Sequence, residues 1–75
     1  MQARDFAIVQ ALARAALIAA ADLPDKHPSR GVVRHQVDRL KLELQGSGDA
    51  ADRRNGDKIE ELVKWFDDGA VPSTE

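Results

Sequence analysis

Residues 3–21 read ARDFAIVQALARAALIAAA, and this stretch decides the fold. Alanine has the highest helix propensity of all residues, so the nine alanines here predict a first helix over about residues 2–22. On a helical wheel its apolar side chains cover an arc of roughly 200°, whereas an ordinary surface helix has an apolar stripe of about 100°. The arc comprises Ile8, Ala19, Leu12, Leu23, Ala16, Val9, Ala20, Ala13, Phe6 and Leu17. A helix with so wide an arc can contact two partners at once, one within the chain and one outside it.

The size and composition of the chain narrow the ways in which it can be stabilised. Its 75 residues predict a single small helical domain, residues 1–75, whose core contributes only a few kcal/mol of net stability. The chain has no cysteine, which excludes disulfides, zinc–thiolate sites and thiol catalysis. Small domains without disulfides or metals commonly gain stability by forming oligomers. We therefore expect this chain to self-associate.

The sequence predicts a cytoplasmic protein without a membrane partner. The apolar run Ala15–Ala21 is only seven residues long, and Asp5 lies where a secretory signal would be basic. A membrane-spanning helix needs about 20 apolar residues in a row, and no stretch approaches that length. The absence of cysteine also fits the reducing cytoplasm.

A second helix is predicted over residues 29–45. Pro24 ends the first helix, and Ser29 is expected to cap the second by accepting a hydrogen bond from a backbone N–H group. The glycines of the segment Gly46–Gly48 are expected to end it. Its apolar residues are spaced four, three and four apart, as in an antiparallel hairpin or a coiled coil: Val33, Val37, Leu40 and Leu44.

A third, shorter helix is predicted over residues 57–68. Asn55 and Gly56 form a typical turn dipeptide, and Asp57 after them is expected to be the N-cap, with Glu60 three residues on completing an arrangement like a capping box. A short helical turn over residues 49–54 stays open, and residues 70–75 are expected to form a flexible tail. The apolar face of the third helix comprises Ile59, Leu62, Val63 and Phe66.

These elements predict an all-α fold. The first two helices are expected to form an antiparallel hairpin, and the third short helix is expected to pack across them. The narrow apolar faces of the second and third helices cannot cover the whole arc of the first helix. We therefore expect the first helix to dimerise through its remaining face, where alanines let two backbones approach closely. The predicted dimer interface comprises Ile8, Leu12, Ala15 and Ala19.

The sequence offers no residue pattern typical of an enzyme or a cofactor site. His27 and His35 do not have the spacing of metal ligands, and no glycine-rich phosphate loop joins a strand to a helix. The neighbouring carboxylates Glu60 and Glu61 diverge on a helix, so they cannot oppose each other in general acid–base catalysis. We therefore expect neither enzymatic activity nor a bound metal or cofactor.

A basic stripe on the second helix suggests nucleic acid as an alternative partner. Arg30, Arg34 and Lys41 lie within about 40° of one another on the helical wheel. A helix of this kind fits a major groove and is typical of a small DNA-binding transcriptional regulator. Two observations argue against that alternative. The chain has a net charge of −2, and the same cations can form local ion pairs four residues apart, such as Arg34–Asp38 and Arg39–Glu43.

Our leading prediction is a small homodimeric interaction module that regulates a partner protein by binding it. An adaptor, an anti-activator or an inhibitor would each fit this description. The residues expected to bind the partner are Arg30, Arg34 and Lys41, with Trp65 as either an anchor or a core residue. Whether the second chain is identical or different stays open.

Overall fold

A computed structural model describes residues 3–69 of the chain. Within that range the chain forms three helices, α1 (Ala3–Ala21), α2 (Pro28–Gln45) and α3 (Ala50–Asp67), and no strand. The predicted all-α fold is therefore confirmed for this part of the chain. The tail predicted for residues 70–75 lies outside the described residues.

The second helix begins slightly earlier than predicted. Its N-cap is His27, whose Nδ1 atom accepts a hydrogen bond of 3.1 Å from the backbone N–H of Ser29. Ser29 itself is already helical, so the prediction that it caps the helix was wrong. The physical reason is Pro28, because proline suits the first position of a helix, where its fixed φ is compatible and its missing N–H costs nothing. The helix ends at Gln45, with Gly46 as its C-cap, as predicted.

The third helix begins at Ala50, seven residues before the predicted start at Asp57. Its N-cap is Asp49, whose carboxylate accepts a hydrogen bond of 2.7 Å from the backbone N–H of Ala51. The region 49–54, which the sequence left open, therefore forms the N-terminal turn of α3. The prediction of a short third helix was wrong, because α3 is 18 residues long, the same length as α2.

Packing between helices explains why the dipeptide Asn55-Gly56 does not form a turn. Gly56 is buried at a close approach of α3 to the end of α2. A Cβ atom at this position would lie 2.7 Å from Cγ of Gln45 and 3.1 Å from Cβ of Leu44. The side-chain amide of Gln45 also donates a hydrogen bond of 3.0 Å to Asp57. The glycine is therefore needed for its small size and not for a turn conformation.

The three helices form an up-down-up bundle. The most extensive contact joins α2 and α3, and α1 packs against both. At one end of the bundle, Nζ of Lys58 lies 6.0 Å from the centroid of the Phe6 ring. At the other end, Arg30 joins the C-terminus of α1 to the Phe66 ring of α3. These contacts show that α1 and α3 run in the same direction, with α2 antiparallel to both. The predicted antiparallel arrangement of the first two helices is compatible with this bundle.

The core divides the apolar arc of α1 into a buried side and an exposed side. Leu17 of α1 is 1% exposed and Ile59 of α3 is 0% exposed, so these two residues form the centre of the core. The core residues are Phe6, Ala13, Leu17, Ala20, Val37, Leu44, Ile59, Leu62, Val63 and Phe66. On the opposite side of α1, Ile8 is 58% exposed and Leu12 is 66% exposed. The bundle therefore covers only one side of the arc.

Candidate functional site

The first candidate surface is the outer face of α1, defined here as Ile8, Leu12, Ala15 and Ala19. All four residues are exposed. At 100° per residue they span about 60° of the helix and are centred roughly 140° from the core side chains. Arg14 is the only charged residue between positions 6 and 21, and it does not lie on this face. The outer face of α1 is thus an uncharged surface along several helical turns, as its residues predicted.

Arg30 is not part of an exposed basic stripe, because its guanidinium group binds the C-terminus of α1. Its Nη1 atom donates hydrogen bonds of 3.0–3.1 Å to the carbonyl oxygens of Ala20, Ala21 and Leu23. The same group lies 5.2 Å from the centroid of the Phe66 ring. The last turn of α1 has no basic residue of its own, so Arg30 supplies the cation that a helix C-terminus favours.

Arg34 joins α2 to the C-terminal end of α3. Its Nε and Nη2 atoms donate hydrogen bonds of 2.9 Å and 2.8 Å to the two carboxylate oxygens of Asp67. This fork geometry is the strongest common arrangement of a guanidinium and a carboxylate. The hydrogen bond from Arg34 also holds the pKa of Asp67 below its usual value. It explains an acidic residue in the last turn of a helix, where the helix dipole alone would oppose it.

Lys41 is paired within α2. Its Nζ atom lies 2.9 Å from the carboxylate of Asp38, and this hydrogen bond lowers the pKa of Asp38. The local pair predicted between Arg34 and Asp38 is therefore replaced by two others, Arg34 with Asp67 and Lys41 with Asp38. The three basic residues predicted to bind a partner each have an acceptor within the chain.

Trp65 lies at the edge of a second candidate surface, and it is a surface residue with 40% exposure. It lines a cavity of about 380 Å³ between α1 and α3. A second cavity of about 380 Å³ lies next to the first, towards the N-terminus of α3. Both cavities are lined by Ala7 and Gln10 and are therefore adjacent, and we refer to the two together as the α1–α3 groove. The other lining residues are Phe6, Ala11, Arg14, Ala51, Arg54, Asn55, Lys58 and Leu62.

Sequence reasoning missed the α1–α3 groove because its two walls are about fifty positions apart in the chain. One signal was present in α3. Arg54, Lys58 and Trp65 are spaced four and seven residues apart, which places them along one edge of a helix. Without the knowledge that α1 runs parallel to this edge, the spacing does not predict a groove.

The described part of the chain has two further properties that bear on function. Residues 3–69 contain no group of three histidine, cysteine, aspartate or glutamate side chains arranged to hold a metal ion. None of the helices in that range has the length and apolar character that crossing a membrane requires.

Comparisons with known proteins do not assign the chain to a family. No protein family matches its sequence, no characterised protein is significantly similar to it, and no solved structure matches its fold significantly. Its function therefore has to be argued from the two surfaces described above.

Proposed function

We propose that this chain is a homodimeric helical interaction module that regulates another protein by binding it. The observation that carries the proposal is the outer face of α1, which is apolar, uncharged and exposed in the single chain. Leu12 alone is 66% exposed, although burying a leucine side chain is worth about 2 kcal/mol. A second copy covering this face would bury its apolar side chains. It would also provide the stability that so small a core lacks.

The spacing on the outer face of α1 favours an antiparallel dimer. If two copies of α1 cross near positions 13 and 14, Ile8 lies opposite Ala19 of the other copy, and Leu12 lies opposite Ala15. Each large side chain then faces a small one, which is the pattern that lets two helices interdigitate closely.

The proposed dimer leaves the α1–α3 groove accessible for a partner protein. The α1 residues that line the groove are centred roughly 120° around the helix from the outer face. A helix–helix contact covers about 100° of each helix surface. One side of α1 can therefore serve dimerisation while another side, together with Trp65, serves binding.

The alternative of DNA binding receives no support from the arrangement of α2. Arg30, Arg34 and Lys41 were the basis of that alternative, and each of them contacts an acceptor within the chain. Electrophoretic mobility shift at low salt tests the point, because even non-specific binders retard duplex DNA under that condition. We expect no retardation at micromolar protein concentrations.

Size-exclusion chromatography with light scattering tests the dimer. We expect a mass of about 16 kDa at micromolar concentration, twice the 8.2 kDa of one chain. Leu12→Glu should give a monomer with unchanged helicity, because the residue is exposed in the single chain and a charge would be buried in the dimer. The matched control is Leu42→Glu, at an apolar residue of α2 that is 57% exposed, and this variant should stay dimeric. A monomeric wild-type chain would contradict the proposal.

A further inference from the structure

We infer that Val32 of α2 belongs to the dimer interface, where it packs against Ile8 of the second copy. This inference rests on the proposed function, because it extends the proposed interface from the outer face of α1 onto α2. The partner that it specifies is a second copy of this chain. Three observations support it: the small size of the outer face, the exposure of Val32, and the position of Val32 beside α1.

The outer face of α1 is too small to form a stable interface alone. It has two large side chains, Ile8 and Leu12, and its other two residues are alanines. Stable and specific protein interfaces bury about 800 Å² on each partner and involve roughly 20–30 residues a side. A dimer that forms at micromolar concentration therefore needs apolar surface from a second element next to the outer face.

Two large apolar residues of α2 are exposed in the single chain, Val32 at 60% and Leu42 at 57%. Neither of them stabilises the core of its own chain. Valine is also β-branched and has a lower helix propensity than leucine or alanine, so Val32 brings no local benefit to α2. At 100° per residue the two side chains lie about 80° apart around the helix, and only one of them can adjoin α1.

The contacts of α2 show which of its edges adjoins α1. Arg34 and Gln45 donate hydrogen bonds to Asp67 and Asp57 of α3, so the edge of α2 that carries them faces α3. Val32 lies about 150° from that edge, on the other flank of the core side chains of α2. Because α2 packs between α3 and α1, this other flank adjoins α1.

The outer face of α1 is turned towards the same side of the bundle. The α1 residues that line the α1–α3 groove lie on one flank of the core side chains of α1, and Leu12 lies on the opposite flank, about 110° from their centre. That opposite flank adjoins α2. Leu12 and Val32 therefore border the same groove between α1 and α2, and the apolar surface of the outer face continues across this groove onto α2.

Val32 also has the right height along the bundle to meet Ile8 of the second copy. Arg30 reaches carbonyl groups at the end of α1, and α2 runs antiparallel to α1. Val32, two residues further along α2, is therefore level with about residues 16–19 of α1. In the proposed antiparallel alignment, Ile8 of one copy lies opposite Ala19 of the other. The small side chain of Ala19 leaves room for Ile8 to reach Val32.

Two charge substitutions on α2 test the inference. Val32→Glu would bury a charge against the second copy, whereas Leu42→Glu places the same charge at a similarly exposed residue on the other flank of α2. We expect Val32→Glu to raise the dissociation constant of the dimer about tenfold or more, and Leu42→Glu to change it less than about twofold. Analytical ultracentrifugation measures these constants. Both residues are exposed in the single chain, so circular dichroism should show unchanged helicity.

Cross-linking of a mixture tests the contact between Val32 and Ile8 of the second copy directly. The chain has no cysteine, so Ile8→Cys and Val32→Cys each introduce a single reactive thiol. We expect a short bismaleimide to link an equal mixture of the two variants into a covalent dimer. Each variant alone should give about fivefold less of this product, because the two copies of either position lie about 16 Å apart along the helix axis in the antiparallel alignment.

Two outcomes would overturn the inference and leave the dimer through α1 in place. One is a dimeric wild-type chain in which Val32→Glu and Leu42→Glu have equal effects, and the other is cross-linking that is as strong in either variant alone as in the mixture. A monomeric wild-type chain would overturn both the dimer and the inference, because no second copy would then cover Val32.

Discussion

The arginines of α2 show how strongly one side chain can depend on distant parts of the chain. Arg30 donates hydrogen bonds to three carbonyl groups at the end of α1. Arg34 donates two hydrogen bonds to the carboxylate of Asp67 in the last turn of α3. A lysine could not make the two-bond contact of Arg34 with Asp67, because an ammonium group is a compact point charge and not a planar fork. The two arginines therefore link α2 to α1 and to α3, although their spacing in the sequence suggests a contact with nucleic acid.

The pair of Arg34 and Asp67 makes stability sensitive to acid. The pKa of Asp67 lies below its ordinary value of 3.8, chiefly because of the hydrogen bond from Arg34. A carboxylate with a depressed folded-state pKa stabilises the fold above the unfolded pKa, and this contribution is lost as the pH falls through the folded value. Asp38 beside Lys41 adds a dependence of the same sign. We therefore expect the free energy of unfolding to decrease below about pH 4.

Replacing Asp67 tests this pH dependence. Asp67→Asn should lower the free energy of unfolding at neutral pH by roughly 0.5–1 kcal/mol, a small effect because both partners are partly exposed to solvent. The variant should also lose less stability than the wild type on acidification, as measured by urea unfolding at about pH 7 and about pH 3. Asp68→Asn is the matched control at the same helix end. Equal behaviour of the two variants would show that Asp67 has no special role.

At the scale of one element, α1 has a side that is buried in the core and an opposite side that is exposed. Its buried side contributes only two large side chains to the core, Phe6 and Leu17, because the other two positions are alanines. Its outer face has residues of similar type that are exposed. The helix therefore contains a matched pair of leucines, Leu17 in the core and Leu12 on the outer face.

Truncating each leucine separates the two tasks of α1. Leu17→Ala should lower the free energy of unfolding by about 2–5 kcal/mol, because it removes a buried side chain and leaves a cavity. Leu12→Ala should have almost no effect on the single chain. If the outer face dimerises, Leu12→Ala will instead cause a loss of stability that grows with protein concentration, since dimerisation stabilises the folded state by mass action. Thermal unfolding at several protein concentrations measures both effects.

Replacing a glycine by alanine is expected to have opposite effects on stability at Gly31 in α2 and at Gly56 in α3. Helix propensity alone predicts that Gly→Ala stabilises an exposed helix position by roughly 0.5–1 kcal/mol. Gly31→Ala should do so, because a Cβ atom there has no neighbour within 4 Å. Gly56→Ala should destabilise the protein, since its Cβ would lie 2.7 Å from Cγ of Gln45 and 3.0 Å from the backbone nitrogen of that residue. Urea unfolding of both variants checks the difference in sign.

At the scale of the whole molecule, the bundle leaves two surfaces uncovered in different directions. The outer face of α1 is uncharged, whereas the α1–α3 groove combines apolar side chains with basic ones. A single amphipathic helix normally has one apolar side, and the up-down-up arrangement uses part of it for the core. The outer face takes the remaining width of the arc, whereas the α1 wall of the groove lies outside the arc, at Ala7, Gln10, Ala11 and Arg14.

An exchange of large and small residues tests the antiparallel dimer. Ala15→Leu alone should weaken the dimer about tenfold, because two leucines would then face each other across the interface. Leu12→Ala alone should weaken it by a similar factor through lost contact. The double variant restores one leucine opposite one alanine, so its dissociation constant should return towards the wild-type value. Analytical ultracentrifugation measures these constants. Additive weakening in the double variant would argue against the antiparallel alignment.

The sequence by itself determined the helical class and the unusual width of the apolar arc on α1. Both follow from local properties, namely the propensity of alanine and the periodic spacing of side chains along one helix. The exposure of Ile8 and Leu12 could also be expected, because the two short apolar faces elsewhere are too narrow to cover the arc. The cap predicted at Ser29 was wrong for a local reason, since Pro28 takes the first helical position and the cap is therefore His27, two residues before Ser29.

Only the tertiary structure decided where α3 begins, what the arginines bind and where the groove lies. The turn preference of Asn55-Gly56 is a local effect, and it is outweighed by the packing of Gly56 against α2. Arg34 meets its partner 33 positions away in the chain. The groove exists because α1 and α3 lie side by side in the same direction, although α2 separates them in sequence. Such contacts depend on the arrangement of all three helices. Neither the helix propensity of residues nor their spacing within one helix determines that arrangement.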